Sequence, residues 1–348
     1  MNFGESNFGD SLLNSQAPVP DQASARELSK LSPKLLSPKF IAAALLLAST
    51  ALAQAEAPKV VASFKPIHSL AAAVMQGVGA PYLMVKGAAS PHDYAMTPAD
   101  AQALQNADAI FWIGHEFETF LEKPIDALGG NAAIVSLEEL QGIAKLPPRE
   151  GGAFDAHAHE GEEAGHEDET GHEEHDLHIW MDPHNAKVIV AGIEKTLSAK
   201  DPANAAAYQA NAARTSAALD ALDAELAALL KPVKGRPFIT FHDAFQYFEK
   251  RYGVEASGTI TVNPDAAPGA ARVAELREKV RELGVKCVFA EPNFEPKIIE
   301  AVIEGSDAKV GTLDPEASAL AEGPELYFQS LRGMAESIRE CLATSAAN

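Results

Sequence analysis

The chain has 348 residues, of which 47% are hydrophobic and 22% charged, and its formal net charge is −21. Because so acidic a protein repels phosphate groups, the charge excludes nucleic acid and anionic membrane surfaces as partners and favours cations as ligands. The length left after removal of the N-terminal segment described next favours two domains over one.

Residues 1–55 have the pattern of a signal peptide. Basic residues precede an apolar stretch, Phe40–Ala53, and small residues then give an Ala-x-Ala site, with predicted cleavage after Ala53 or Ala55. About 14 apolar residues are too few to cross a bilayer, and no cysteine near the site offers a lipid anchor. We therefore expect a free periplasmic protein with no stable membrane insertion. The long segment before Arg26 leaves the true translation start open.

After the signal, short apolar strands alternate with helical stretches. The predicted strands are Val60–Phe64, Tyr82–Val85, Ala109–Ile113 and Ala133–Val135 in the first half, and Phe238–Phe241, Val254–Ser257, Lys286–Ala290 and Lys309–Thr312 in the second. The predicted helices between them are Ser69–Gly77, Pro98–Ala107, Ala267–Leu283 and Pro296–Gly305. This alternation predicts an α/β fold of two lobes, each a four-stranded, mostly parallel sheet flanked by helices.

One long helix is predicted over residues 201–232, between an N-terminal lobe of residues 56–200 and a C-terminal lobe of residues 233–348. Asp201 is the expected N-cap, Pro202 occupies the first helical position and Pro232 ends the helix. Apolar residues recur at spacings of three and four from Tyr208 to Leu229, which gives one apolar stripe. About 28 residues would extend about 42 Å, enough to join two lobes. The alternative is a long surface helix in a single domain.

Residues 150–177 include a run rich in histidine and carboxylate. Between Asp155 and His178 lie six of the chain's eleven histidines and ten carboxylates, with no lysine or arginine. Imidazole and carboxylate bind divalent transition metals without needing a fold. The run has no residues that form a core, so we expect disorder and weak metal sites. The weak ligands are His157, His159, His166, His172 and His175.

A tight metal site is predicted where side chains follow strands or re-enter ordered sequence. His92 follows the second strand, His178 ends the histidine run, His242 follows Phe238–Phe241, and Asp314 follows Lys309–Thr312. Ligands of open parallel sheets bind outside the carboxyl ends of strands, and two of these residues come from each half. Three imidazoles and a carboxylate form a tetrahedral set that suits Zn²⁺. Each residue alone also fits a surface or turn role.

Other residues near strand ends are less well supported as parts of the metal site. His68 could be a spare ligand, and Glu291 could accept a hydrogen bond from a ligand imidazole. His115 and Glu116 are interpreted as structural. Trp180 and Phe245 are expected to pack around the site, and His184 to be solvated.

The chain has two cysteines, Cys287 and Cys341. In an oxidising compartment they most simply form one disulfide, which would tie the last helix, Glu325–Glu340, to a strand. Two unpaired buried thiols are the alternative, and metal ligation is disfavoured because neither cysteine has a histidine nearby in the sequence.

From about Val60 to Cys341 the chain resembles the zinc-binding periplasmic proteins of bacterial high-affinity zinc-uptake ABC transporters. The motifs that carry the resemblance are Ser90-Pro-His-Asp-Tyr94, the acidic histidine run, His178-Ile-Trp, Phe241-His-Asp-Ala-Phe245, Thr261-Val-Asn-Pro264, Phe289-Ala-Glu-Pro292 and Gly311-Thr-Leu-Asp-Pro315. The resemblance implies two four-stranded lobes, a rigid joining helix and Zn²⁺ bound between the lobes. It implies His92, His178 and His242 as ligands and Asp314 as the fourth candidate.

The resemblance also implies a monomer that hands Zn²⁺ to an inner-membrane ABC permease. One departure is Pro91, since some zinc members have a glutamate immediately before the first ligand histidine. The fourth ligand is then Asp314 or a water. Manganese-binding relatives have a carboxylate where this chain has His242, because the harder ion prefers oxygen.

Three other functions are compatible with parts of the sequence. A manganese-binding protein of the same class is the first alternative. A secreted zinc hydrolase would need an open coordination position and a general base, and the chain has no His-Glu-x-x-His motif. A periplasmic metal buffer that uses only the histidine run leaves the strand-end residues unexplained. We therefore expect a zinc-binding transport protein that is not an enzyme.

Overall fold

The computed structural model describes residues 56–149, 175–261, 268–293 and 296–343. The predicted signal peptide and the histidine run up to residue 174 lie outside the described residues. The described residues from Glu56 onward form one compact unit.

The first sheet lies in the N-terminal half and is fully parallel. Its strands, in the order β2-β1-β3-β4, are β1 (Val60–Ala62), β2 (Tyr82–Leu83), β3 (Ala109–Trp112) and β4 (Ala133–Ser136). Every residue of β1 and β3 is buried, as expected for parallel strands covered on both faces. The carboxyl ends of all four strands therefore meet at one edge of the sheet.

The second sheet contains three regular strands among the described residues. They are β5 (Phe238–Ile239), β6 (Cys287–Ala290) and β7 (Lys309–Thr312), parallel and in the order β5-β6-β7. The fourth predicted strand, Val254–Ser257, runs beside β5 without becoming regular. The Ser257 N–H donates to Phe238 O at 2.7 Å, and regular pairing is limited to one bridge between Thr240 and Thr259. The Ala256 N–H donates to the Glu249 carboxylate, so it does not extend the ladder.

Helices cover both sheets. They are α1 (Lys65–Val74), α2 (Pro98–Gln105), α3 (Glu122–Leu128), α4 (Pro183–Lys200), α5 (Ala205–Leu230), α6 (Gln246–Tyr252), α7 (Ala270–Glu282), α8 (Pro296–Ile303) and α9 (Leu326–Leu342). Helix α1 begins four residues before its predicted start, because Phe64 is extended and Pro66 suits the first turn. Thr97 forms a capping box with Asp100 at the predicted start of α2.

The long predicted helix is α5, of 26 residues and about 39 Å. Its buried stripe includes Tyr208, Leu219 and Leu226, in the predicted register. Asp201 does not cap it: residues 202–204 form a separate 3-10 turn, and the Asp201 carboxylate accepts hydrogen bonds from Tyr208 Oη at 2.9 Å and from Asn204.

Both sheets share one hydrophobic core, which includes Val60, Leu219, Phe238 and Phe289. Helix α5 contributes to this core instead of crossing open solvent. The predicted division at residues 200 and 233 stays a prediction. No described helix is long and apolar enough to cross a membrane.

Cys287 in β6 and Cys341 in α9 form a disulfide, with their Cα atoms 6.0 Å apart. This confirms the predicted pairing over the alternative of two free thiols. The bridge fixes the C-terminal helix against the second sheet.

Candidate metal centre

Three histidines from distant parts of the chain converge beside the carboxyl ends of the strands. His92, His178 and His242 each offer one ring nitrogen, and these three atoms all lie within 4.8 Å of one another. The first comes from the loop after β2, the second from the segment before α4, and the third from the residues after β5. Because His92 and His242 follow strands of different sheets, the carboxyl ends of strands from both sheets lie beside this site.

A hydrogen-bond network at the sheet edge positions the loop that contains His92. Tyr94 Oη and Tyr82 Oη donate to the two carboxylate oxygens of Asp100, at 2.9 and 2.8 Å. Asp100 is buried at the start of α2 and therefore fixes Tyr94, two residues beyond His92. Burial, with the nearby charges of His178 and His242, lowers the pKa of His92 well below its ordinary value. The ring is therefore neutral at pH 7 and has a lone pair for a metal.

His178 is oriented by an aspartate two residues earlier. Asp176 Oδ1 accepts hydrogen bonds from the backbone N–H of His178 at 2.9 Å and from Nδ1 at 2.8 Å. The Asp176 backbone is fixed in turn, since its N–H donates to Leu146 O and its carbonyl accepts from Tyr247 Oη. With Nδ1 engaged as a donor, Nε2 of His178 is the nitrogen available to a metal.

His242 is the most deeply buried of the three, at 2% exposure. Its Nδ1 lies 2.6 Å from Glu291 Oε1, and its backbone N–H donates to the same oxygen. Burial lowers the pKa of His242, but the carboxylates of Glu291, Glu316 and Asp243 together outweigh burial, and the pKa ends above its ordinary value. Glu291 follows β6, so adjacent strands supply the imidazole and the group that orients it.

Two carboxyl groups follow β7, and they have different surroundings. Both oxygens of Asp314 serve its own loop, accepting hydrogen bonds from Ser318 N at 2.9 Å, Ser318 Oγ at 3.1 Å and Ala319 N at 3.0 Å. Glu316 is buried at 8% exposure, and its hydrogen bonds to described residues are long, with Ser90 Oγ at 3.4 Å and Asn293 Nδ2 at 3.3 Å.

Burial raises the pKa of Glu316 to about 8, and the charge of His242 opposes that rise. Glu316 was not predicted from the sequence. Its position two residues after Asp314 is the one signal that could have found it.

Aromatic rings enclose the three histidines. Phe117 packs edge-on against His92 with ring centroids 4.7 Å apart, and it also contacts His178. Trp180 lies 5.2 Å from His178, and Phe245 lies 6.2 Å from His242. Trp180 and Phe245 had been expected to pack around the site; Phe117 was not identified from sequence.

The remaining predicted residues lie elsewhere. His68 places Nε2 3.1 Å from Pro81 O and is not one of the three converging histidines. His175 pairs with Glu138, Nε2 to Oε2 at 3.0 Å, and His115 lies 4.0 Å from Glu116 at the half-exposed surface. His184 is exposed, as expected. His157, His159, His166 and His172 lie outside the described residues.

The arrangement is chemically suited to a divalent transition metal. Two of the imidazoles have carboxylate partners at Nδ1, which fixes the tautomer and directs Nε2 inward, as is usual for metal-bound histidine. Three nitrogens with a nearby carboxyl group match the donor set that Zn²⁺ takes.

Comparison with known proteins also points to zinc-binding proteins. The profile of the family described as ZnuA, zinc-uptake complex component A, periplasmic, matches residues 60–341. A high-affinity zinc uptake system protein ZnuA of Brucella suis is 48% identical over 307 residues, which cover 82% of this chain and 91% of that protein.

Solved structures agree on the fold. A crystal structure of ZnuA superimposes with a TM-score of 0.68 at 26% identity, covering 82% of this chain and all of that one. A zinc-bound ZnuA with residues 138–173 of that protein deleted gives a TM-score of 0.66 at 26% identity, covering 83% of this chain and 99% of the other. From these matches and the three converging histidines, the chain belongs to the ZnuA family of periplasmic zinc-uptake components.

Proposed function

We propose that this protein captures Zn²⁺ with His92, His178 and His242 and delivers it to an inner-membrane ABC permease. The observation that carries the proposal is the convergence of three imidazole nitrogens within 4.8 Å in a site with buried carboxylate partners. Membership of a zinc-uptake family supports zinc as the cargo and transport, not catalysis, as the activity. The predicted signal peptide supports a periplasmic location.

Each histidine has a distinct task in the proposed capture. His92 is neutral and enters from the loop after β2, so it binds without losing a proton. Asp176 and Glu291 orient the other two rings and increase their basicity as zinc ligands. The zinc charge then compensates the negative charge that these carboxylates place in a buried site.

We propose Glu316 as a better candidate than Asp314 for the fourth ligand. Asp314 would have to give up three hydrogen bonds within its own loop. Glu316 has two long contacts and interacts electrostatically with His242. It would therefore give up weaker hydrogen bonds than Asp314 when its side chain turns toward a metal. A comparison of Asp314→Asn with Glu316→Gln decides between them, because loss of the true ligand should weaken the tight site more than loss of the Asp314 hydrogen bonds within the loop.

Manganese remains the alternative cargo within the same class. Three imidazole nitrogens argue for zinc, since Mn²⁺ prefers oxygen ligands and stands below Zn²⁺ in affinity for nitrogen sites. A buffer role for the histidine run alone leaves the carboxylate-oriented histidines without a purpose.

Two experiments test the proposal. Zinc affinity is measured by chelator competition for the mature protein and for His92→Ala, His178→Ala and His242→Ala, with the exposed His184→Ala as control. Each ligand variant should lose orders of magnitude in affinity and keep its fold. Delivery is tested by growth of a strain lacking the native gene in zinc-depleted medium; rescue by the triple variant would contradict transport through this site.

A further inference from the structure

Lys65 is a buried cation at the carboxyl end of β1. It is 6% exposed, and Nζ donates to three backbone carbonyls, Ser318 O at 2.6 Å, Leu320 O at 3.0 Å and Ala317 O at 3.4 Å. An ammonium group has three donors, so its whole hydrogen-bonding capacity is directed at one loop.

That loop, residues 314–320, follows β7 and contains the buried Glu316. It is held from a second side by the Trp180 indole, which donates to Pro315 O at 2.9 Å. Ala317 adopts a φ of 55°, a left-handed conformation that is uncommon for a residue with a side chain. A backbone in this conformation needs support from its surroundings, and Lys65 supplies it at Ala317 and at the carbonyl that follows.

Lys65 also links the two halves of the site. It lies more than 250 residues from Ser318 in sequence, at the start of the helix that follows β1, while the loop follows the last strand of the second sheet. Ser90, in the loop that contains His92, makes another contact across this gap, to Glu316 at 3.4 Å. The shorter contacts of Lys65 therefore set the position of the loop against the histidines.

We propose that Lys65 is a positioning residue of the metal centre, which holds the 314–320 loop, with Glu316 in it, against the loop that contains His92. This inference rests on the proposed function. A positioning role for Lys65 predicts the opposite of a purely electrostatic role, because a positive charge near a bound Zn²⁺ weakens zinc binding. Loss of the charge alone would increase zinc affinity, whereas loss of the three hydrogen bonds decreases it.

The test compares Lys65→Met with a matched control, Asn211→Leu. Asn211 is also 6% exposed, and its amide donates at 2.8 Å to two carbonyls, Val74 O and Gln76 O, at the opposite end of α1. Thermal unfolding, chelator competition for zinc, and hydrogen exchange of the peptide covering residues 314–320 are measured on both. Lys65→Arg is added, since it keeps the charge but not the geometry of an ammonium group.

Both Lys65→Met and Asn211→Leu should lower the melting temperature. Zinc affinity should fall at least tenfold in Lys65→Met and several-fold in Lys65→Arg, and stay within twofold of native in Asn211→Leu. Exchange in residues 314–320 should accelerate in the two Lys65 variants. Should Lys65→Met not fold, Lys65→Gln replaces it with the same expectation of reduced affinity.

Unchanged or increased zinc affinity in the folded Lys65 variants would overturn the inference and leave the proposed function intact. Absence of a tight zinc site in the native protein would overturn both.

Discussion

Replacing Glu291 with glutamine tests whether a carboxylate behind His242 sets zinc affinity. The change removes the negative charge 2.6 Å from Nδ1 and keeps the size of the side chain, so the fold should survive. Loss of such a partner typically costs about 10–100-fold in metal affinity. That range corresponds to about 1.4–2.8 kcal/mol of binding free energy, which agrees with the roughly 1.5–3 kcal/mol of a hydrogen bond to a charged group.

The loss of zinc affinity in Glu291→Gln should depend on pH. The protonation of His242 determines whether the loss grows or shrinks on acidification. In the native protein the pKa of His242 is raised, because Glu291 and the more weakly acting Glu316 and Asp243 together outweigh burial, so protons compete with zinc as the pH falls through that value. In Glu291→Gln the pKa of His242 falls, and proton competition begins at a lower pH. The affinity ratio of native to variant should therefore be largest at pH 8 and decrease on acidification.

Chelator competition between pH 6 and pH 8 measures this ratio, with Glu225→Gln as control. Glu225 is an exposed glutamate that pairs with Arg332 on the surface, so its variant should match native protein at every pH. Equal zinc affinity of Glu291→Gln and native protein at pH 8, or a ratio that does not change with pH, would refute the reasoning.

Three further predictions concern metal choice, the histidine run and the disulfide. His242→Glu should narrow the preference for Zn²⁺ over Mn²⁺ in competition titrations, because it replaces a nitrogen with an oxygen ligand; an unchanged preference would exclude His242 from the site. Deleting residues 155–174 should lower zinc stoichiometry in calorimetry and spare the tight site, whereas a deletion that extends through Asp176 should weaken it, because Asp176 holds His178. Identical tight sites in the two deletions would argue against that role. Replacing both Cys287 and Cys341 by serine should destabilise the protein by about 4 kcal/mol in the loop-entropy treatment, measured by denaturant unfolding; a loss below 1 kcal/mol would contradict it.

The fold was largely accessible from sequence because its signals are local. Apolar strands such as Ala109–Trp112 and the buried stripe of α5 are periodic patterns that the chain itself contains. The exception is Val254–Ser257, which has a strand-like sequence but forms no regular strand. Its Ala256 N–H donates to the Glu249 carboxylate and not to a neighbouring strand. Helices α3, α4 and α6 were not predicted from the sequence.

For the site, sequence determined that His92, His242 and Asp314 follow strands and that His178 ends the histidine run, and this predicted the four as metal ligands. The structure brings the three histidines together. Only the tertiary structure decided what surrounds them. The contacts of Phe117, Glu316 and Lys65 join residues far apart in the chain, for example the hydrogen bond from Lys65 to Ser318 across 253 residues. No local pattern encodes such a contact, because it depends on how two sheets and their loops pack against each other.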